Sequence, residues 1–412
     1  MKMINEITRK NVAIWVIFVL ISFAVSGGVY FLVQKNSKNI IEEYELRISE
    51  EKERAEKLEF ELAVKKEQER VAALEKQKPK LDLLPPDIER MKRQGCITDG
   101  LLNGYSKGTE DATELVNRSS CYYLHRAVET WLKPPDFKDI EETMGKIKKD
   151  RKNLVYGMFI AEAIDTKADY FYEAENRELD FGDMCRPGSK NVWGEHTCKP
   201  SFKEKEYRLY VLDITKKAID LGVQSFMFGQ VFYQDYINDS HIGEVLKEMR
   251  AYAKAREVEI VIGAQTNDIE NEEYLRQFDF IEGGVGIDAG GKIEKGPCFS
   301  RWWKKEGDWC WALLWNEKFS KKANNVLVHL DWSGVKGDDM GIFAEMSREK
   351  RAETLRYLDE YFTKRDVGFL FPMVTPLYKE NGGCHGKSRK YYSASNEHSC
   401  KDEDVINELL VK

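Results

Sequence analysis

Polarity along the chain changes character three times. Positions 12 to 33, VAIWVIFVLISFAVSGGVYFLV, contain no charged residue. At about 1.5 Å per residue such a helix spans roughly 33 Å, enough for a hydrocarbon core of about 30 Å. Lys2, Arg9 and Lys10 precede it. The positive-inside bias therefore predicts a cytoplasmic N-terminus over 1–11, a single transmembrane helix over 12–33, and everything after Gln34 on the outer side. A cleaved signal peptide is the alternative, with Ala24-x-Ser26 as the cleavage site. The apolar run, however, outlasts the usual secretory h-region of about 7–15 residues.

From Asn39 to Lys78 the chain is rich in Glu and Lys and holds no Gly or Pro. Written in heptads, Ile41, Ile48, Ala55, Leu62 and Glu69 take the a positions, and Tyr44, Glu51, Leu58, Lys65 and Ala72 the d positions. The mostly apolar seam predicts a coiled-coil stalk over 39–78 and a homo-oligomer. The alternative is a single helix held by Glu–Lys pairs one turn apart. Pro79, Pro85 and Pro86 end the helix and make 79–90 a Pro-rich linker.

Beyond it the period changes again. Short runs rich in apolar, β-branched and aromatic residues occur at 156–163, 224–230, 259–265, 278–287, 311–316, 326–331 and 367–373. Amphipathic stretches lie between them at 206–221, 243–256, 270–277 and 347–364. Strands buried on both faces and separated by helices predict a parallel sheet with crossover helices. Seven such strands and one more, not located by pattern, predict an α/β domain over 91–412 of the (β/α)8 TIM-barrel type. An open doubly wound sheet is the rival, but Gly283-Gly284-x-Gly286 lies inside an apolar strand and does not open a helix, so no nucleotide fingerprint supports it.

Composition refines this picture. With 33% charged residues and a net charge of -7, the chain has no long basic block, which argues against a nucleic-acid partner. The eight cysteines fall into four local couples, Cys96/Cys121, Cys185/Cys198, Cys298/Cys310 and Cys384/Cys400, each bracketing a loop-like stretch. Spacing alone permits about 105 pairings. Disulfides are the expectation and imply an oxidising compartment, at the cell surface or in the periplasm. A metal site mixing Cys with His196, His385 or His398 is the alternative, though no C-x₂-C knuckle is present. Asn117 and Asn238 stand in N-x-S sequons.

In a parallel barrel the chemistry gathers where the βα loops converge, at the carboxyl ends of the strands. The polar residues closing the runs are Glu162, Gln230, Gln265, Glu282 with Asp288, Asn316 and Asp331. Period-two alternation puts His329 on the same side as Asp331. Carboxylates and amides arranged around one opening suit a hydroxyl-rich ligand. Six of nine tryptophans lie between Trp302 and Trp332, and Trp302 and Trp303 fall in the Cys298–Cys310 loop, where they could stack on sugar rings.

No G-x-S-x-G or H-E-x-x-H motif is present, and no cofactor or metal is called for. The expectation is a membrane-anchored glycoside hydrolase-like protein acting on a glycan or cell-envelope polymer. Glu162 and Asp331 are its paired carboxylates, with Glu282 as substitute. Gln230, Gln265, Asn316, His329, Asp288, Trp302 and Trp303 contact the sugar. The alternatives are a non-catalytic glycan-binding or scaffolding module, and a metal-dependent hydrolase using Asp331, His329 and Glu162. Each of these polar residues could also simply cap a helix or satisfy the backbone.

Overall fold

The computed structural model describes residues 80–104, 112–267, 269–293, 321–332, 338–377, 384, 391–397 and 400–412, with scattered positions between 47 and 66. The expected membrane helix 12–33 and most of the stalk lie outside the described residues, as do Cys298, Cys310, Trp302, Trp303 and Asn316. Among the described residues no helix is long and apolar enough to cross a membrane.

The chain divides into two units, Met1–Ala73 and Leu74–Lys412. In the first, the described positions between Arg47 and Lys66 are helical, and Ile48, Leu58 and Leu62 are exposed. In the second, the stretch expected as a linker is tied down by hydrogen bonds. Gln224 donates to the Leu84 carbonyl, and the Asp87 carboxylate caps the helix Ile88–Arg93.

Eight parallel strands follow one another in chain order: β1 Gly95–Thr98, β2 Tyr123–Glu129, β3 Val155–Ile160, β4 Ser225–Phe228, β5 Val261–Gln265, β6 Phe280–Val285, β7 Val326–Leu330, and β8 in two segments, Gly368–Phe369 and Phe371–Pro376. Each pairs with the next. The first segment of β8 pairs with β7, and the second pairs with β1. The sheet therefore curls round on itself into an α/β barrel-like fold. The order never reverses, so the switch point of a doubly wound sheet is missing. Tyr391–Ser393 adds an antiparallel strand to the outer end of β8.

These strands form because both faces are covered. Apart from the last residue of β8, every residue of β1 to β8 is buried. Phe226, Phe228, Phe280 and Phe371 are each below 2% exposed, and burying one such side chain contributes about 1.5–3 kcal/mol. Four helices fall on the amphipathic stretches, α1 Lys205–Asp220, α3 Ile242–Ala255, α4 Glu272–Leu275 and α5 Arg348–Thr363, while α2 Val231–Gln234 and α6 Glu403–Leu410 were not among them.

Two strands differ from the sequence expectation: β1 and β2 were not among the seven runs, and 311–316 lies outside the described residues. β1 is only four residues long, and β2, YLHRAVE, carries His125, Arg126 and Glu129, so neither reads as an apolar run.

Three of the four expected cysteine couples are disulfides: Cys96–Cys121, Cys185–Cys198 and Cys384–Cys400, with Cα separations of 5.9, 5.7 and 5.4 Å. That removes the thiolates on which the Cys–His metal alternative depended. The last bridge lies beside a buried ionic tie. From α5, Arg351 gives Nε to Asp402 Oδ2 at 2.6 Å, Nη2 to the Cys400 carbonyl and Nη1 to the Met346 carbonyl. Tyr392 donates to the same Asp402 oxygen at 2.8 Å.

Arg351→Ala leaves the Asp402 carboxylate buried without its cation, which typically costs about 3–5 kcal/mol. A urea titration of the variant is expected to show a clearly lowered midpoint. An unchanged midpoint would mean that the C-terminal segment is held by other contacts.

Candidate active site

Charged side chains collect toward the carboxyl ends of the barrel strands. Asp99 follows β1, Arg126 and Glu129 belong to β2, Glu162 follows β3, Glu282 is in β6, His329 is in β7 and Asp331 follows it. Arg126 is held in an unusual way. The β2–β3 register shifts between Leu124 and Val128, and Arg126 has φ 55°, in the left-handed region. A bulge of this kind re-aims a side chain, and the strain it stores is typical of functional positions.

The buried Arg126 guanidinium meets Glu129 Oε2 at 2.6 Å and Asp99 Oδ1 at 3.1 Å. It also lies 3.9 Å from the centroid of Phe159 and 5.0 Å from that of Trp332. Burial pushes the Asp99 carboxyl up to about 7, and Arg126 works against that shift. Glu129 is further tied by its Oε1, which accepts the N–H groups of Thr130 and Trp131.

Glu162, Gln230 and Gln265, three residues picked from the sequence, come together. Gln230 Nε2 donates to Glu162 Oε1 at 2.5 Å, and Gln265 Oε1 accepts the Gln230 N–H at 3.2 Å. Gln230 opens α2 with φ 17°, outside the helical range. Glu162 Oε2 and Gln230 Oε1 are buried and have no hydrogen-bond partner among the described residues. Burial pushes the Glu162 carboxyl up to about 7, with its own backbone N–H, Arg126 and Gln230 offsetting part of the rise. A Cβ at Gly229 would collide with Glu162 Oε2 and the Phe159 ring, so glycine is what lets β4 approach this carboxylate.

Asp331 is 8% exposed at the end of β7. It lies against Gly284 of β6, where an added Cβ would come within 2.8 Å of its own Cβ. It is next to Trp332, whose ring faces Arg126, while the Phe159 ring beside Glu162 takes the other contact with that guanidinium. Arg126 thus stands between the surroundings of the two carboxylates.

Glu282 and His329 are placed differently. Glu282 is 1% exposed, with Oε1 at 2.5 Å from His329 Nε2 and Oε2 at 3.4 Å from His125 Nε2. His329 Nδ1 faces the Leu330 carbonyl at 2.8 Å and so carries a proton. Burial alone would raise Glu282 and lower His329. The ion pair outweighs it, holding the carboxyl well below its usual range and the imidazole well above. His125 is pushed down to about 3 by burial, and its Nδ1 meets Tyr123 Oη at 2.9 Å. Asp288 is exposed, and its carboxylate accepts the Lys292 N–H in a turn.

Among the described residues no three His, Cys, Asp or Glu side chains form a metal-binding group. Sequence reasoning missed Asp99, His125, Arg126 and Glu129, because they sit on or beside the two strands it did not find. It also missed an aromatic group nearby: Trp131 and Trp193 at 5.6 Å between ring centroids, and Trp193 and Tyr233 at 6.1 Å. The only signal for these lay in single residues scattered over about 100 positions.

No protein-family profile matches the sequence. No curated protein matches it either. Among solved structures, the chain is similar to a GH27 β-L-arabinopyranosidase from Geobacillus stearothermophilus, at 9% identity and a TM-score of 0.33, over 51% of this chain and 57% of that one. It is also similar to the glycoside hydrolase domain of PelA from Pseudomonas aeruginosa, at 9% identity and a TM-score of 0.37, over 63% and 89%. A debranching enzyme from Nostoc punctiforme matches at 9% identity and a TM-score of 0.45, over 80% and 81%. This chain thus spans little more than half the length of the arabinopyranosidase. With every score below 0.5, these likenesses decide neither fold nor function.

Proposed function

We propose that this protein is a glycan-acting hydrolase of barrel architecture, with Glu162 as its general acid and Asp331 as the second carboxylate. The observation that carries the reading is the state of Glu162. It is a buried carboxyl at a strand terminus, one oxygen held by Gln230, the other without a hydrogen-bond partner among the described residues, and its pKa is raised to about 7. A carboxylic acid still protonated near neutral pH is what a leaving glycosidic oxygen requires. Asp331 then serves as base or nucleophile on the opposite side of the bond.

Glu282 is better suited to positioning than to chemistry, since both its oxygens face histidines inside the barrel. The three disulfides favour an oxidising compartment. Tethering through 12–33 and assembly through 39–78 belong to the same proposal. The exposed Ile48, Leu58 and Leu62, at heptad a and d positions, support self-association.

Two outcomes are expected. Glu162→Gln should lower kcat/KM by about 10²–10⁴-fold on any glycan the protein turns over. The wild-type profile should lose activity as pH rises through about 7, as the acid loses its proton. Full turnover by the variant on a screened glycan panel would remove Glu162 from the mechanism.

A third outcome concerns the ion pair. A carboxyl held low stabilises the fold above its ordinary pKa of 4.5, and an imidazole held high does so below its ordinary 6.5. The pair therefore contributes most between those values and fades as pH rises through the mildly alkaline range. Urea midpoints of the wild type should fall there. Those of the double variant Glu282→Gln/His329→Gln should fall less, and parallel curves would show that the pair is not the source.

A further inference from the structure

The long connection from β3 to α1 is unusually well fixed around Lys199. The Cys185–Cys198 disulfide ends one residue before it, and Cys185 bridges Pro200 one residue after. The Lys199 N–H donates to Ser189 Oγ, and its carbonyl accepts the Arg186 N–H at 2.7 Å and the Ser189 hydroxyl at 3.1 Å. From this base the ammonium reaches 3.3 Å from the Tyr233 ring centroid and 5.8 Å from that of Trp193.

Other cations in the neighbourhood are already engaged. Lys203 meets Asp239 at 3.2 Å, Arg177 meets Glu206 at 2.7 Å, and Arg186 donates to the carbonyls of Phe232 and Tyr233. Lys199 makes no ion pair with a carboxylate of the described residues, and its side chain is half-buried among aromatic rings. A desolvated ammonium held by rings alone retains much of its capacity for an anion.

The placement relative to the acid is also specific. Tyr233 lies in α2, the short helix opened by Gln230, which holds Glu162. Trp131 completes the aromatic wall from the other side, and its N–H is anchored on Glu129. Partly exposed rings of this kind can take the C–H face of a pyranose.

We propose that Lys199, framed by Trp131, Trp193 and Tyr233, is a subsite for an anionic sugar, whose carboxylate or sulfate meets the ammonium while its ring lies against the aromatic wall beside Glu162. This rests on the glycan reading above and names the substrate class for that site. Of the acids at the strand ends, Asp99 and Glu129 share Arg126 and Glu282 pairs with His329, while Glu162, the acid that acts on Lys199, is raised to about 7 by burial.

The test is binding of the full chain carrying Glu162→Gln to a printed array of neutral, uronic-acid and sulfated oligosaccharides, with and without Lys199→Gln. Uronic-acid or sulfated members should be preferred, and the arm that responds identifies the anion. Lys199→Gln should weaken those members by about tenfold or more, the usual scale for a hydrogen bond to a charged group. Neutral members should be unaffected, and Lys199→Arg should restore most of the preference, which a purely structural lysine would not require. Glycans bound without regard to charge, or a preference that survives Lys199→Gln, would overturn the subsite and leave the hydrolase reading standing. Silence across the whole array, with no turnover by the wild type, would remove both.

Discussion

The candidate site depends on one buried guanidinium. Five carboxyl groups, from Asp99, Glu129, Glu162, Glu282 and Asp331, lie at or near one end of a barrel whose walls are apolar, and an isolated ionised carboxylate cannot be kept in such a medium. Arg126 takes two of them directly, and its positive φ is the backbone distortion that brings it there. His329 takes a third. Glu162 is hydrogen-bonded by an amide, and its burial outweighs the help of the more distant Arg126, which leaves its carboxyl raised to about 7.

The parts of this arrangement legible in the sequence follow a simple rule. Strands buried on both faces and free of charge, such as 261–265 and 326–330, announce themselves as apolar runs, and the polar residue closing each run marks its carboxyl end. Glu162, Gln230, Gln265 and Asp331 were found that way, and the first three do meet. The strand that carries most of the charge fails the same filter. β2 places His125, Arg126 and Glu129 in a seven-residue strand whose every residue is buried, so a search for hydrophobic runs discards the element richest in chemistry. β1, at four residues with a glycine and a cysteine, gives too little period to detect. Register within the glycine-rich β6 was equally hard to read. There Glu282 turns out to point at two histidines.

The β3–α1 connection contributes what the strands cannot. Its two small antiparallel pairings and one disulfide give it fixed backbone geometry. Trp193 and Lys199 can therefore be held at defined distances from Trp131, just after β2, and Tyr233 of α2 without being part of any barrel element. This division of labour, a rigid wall supplying the acids and a stapled loop supplying the aromatic and cationic contacts, explains why the loop residues left no periodic trace. Their spacing is set by turns and a cystine, and only the cystine was visible beforehand.

Steric clearance separates the two proposed reacting carboxylates from the other acids. Glu162 is opposed by Gly229 and Asp331 by Gly284, and in each case a methyl group in place of the hydrogen would strike the acid or its Cβ. Gly284 lies inside β6, where glycine weakens a strand and forgoes packing, and Gly229 directly follows β4; a side chain at either would crowd the carboxylate it faces. Glu282, by contrast, is fixed by ion pairs. A carboxylate that serves only as a counter-ion can be positioned by its partner. Glu162 and Asp331 sit instead against glycines, whose missing side chains leave room for them.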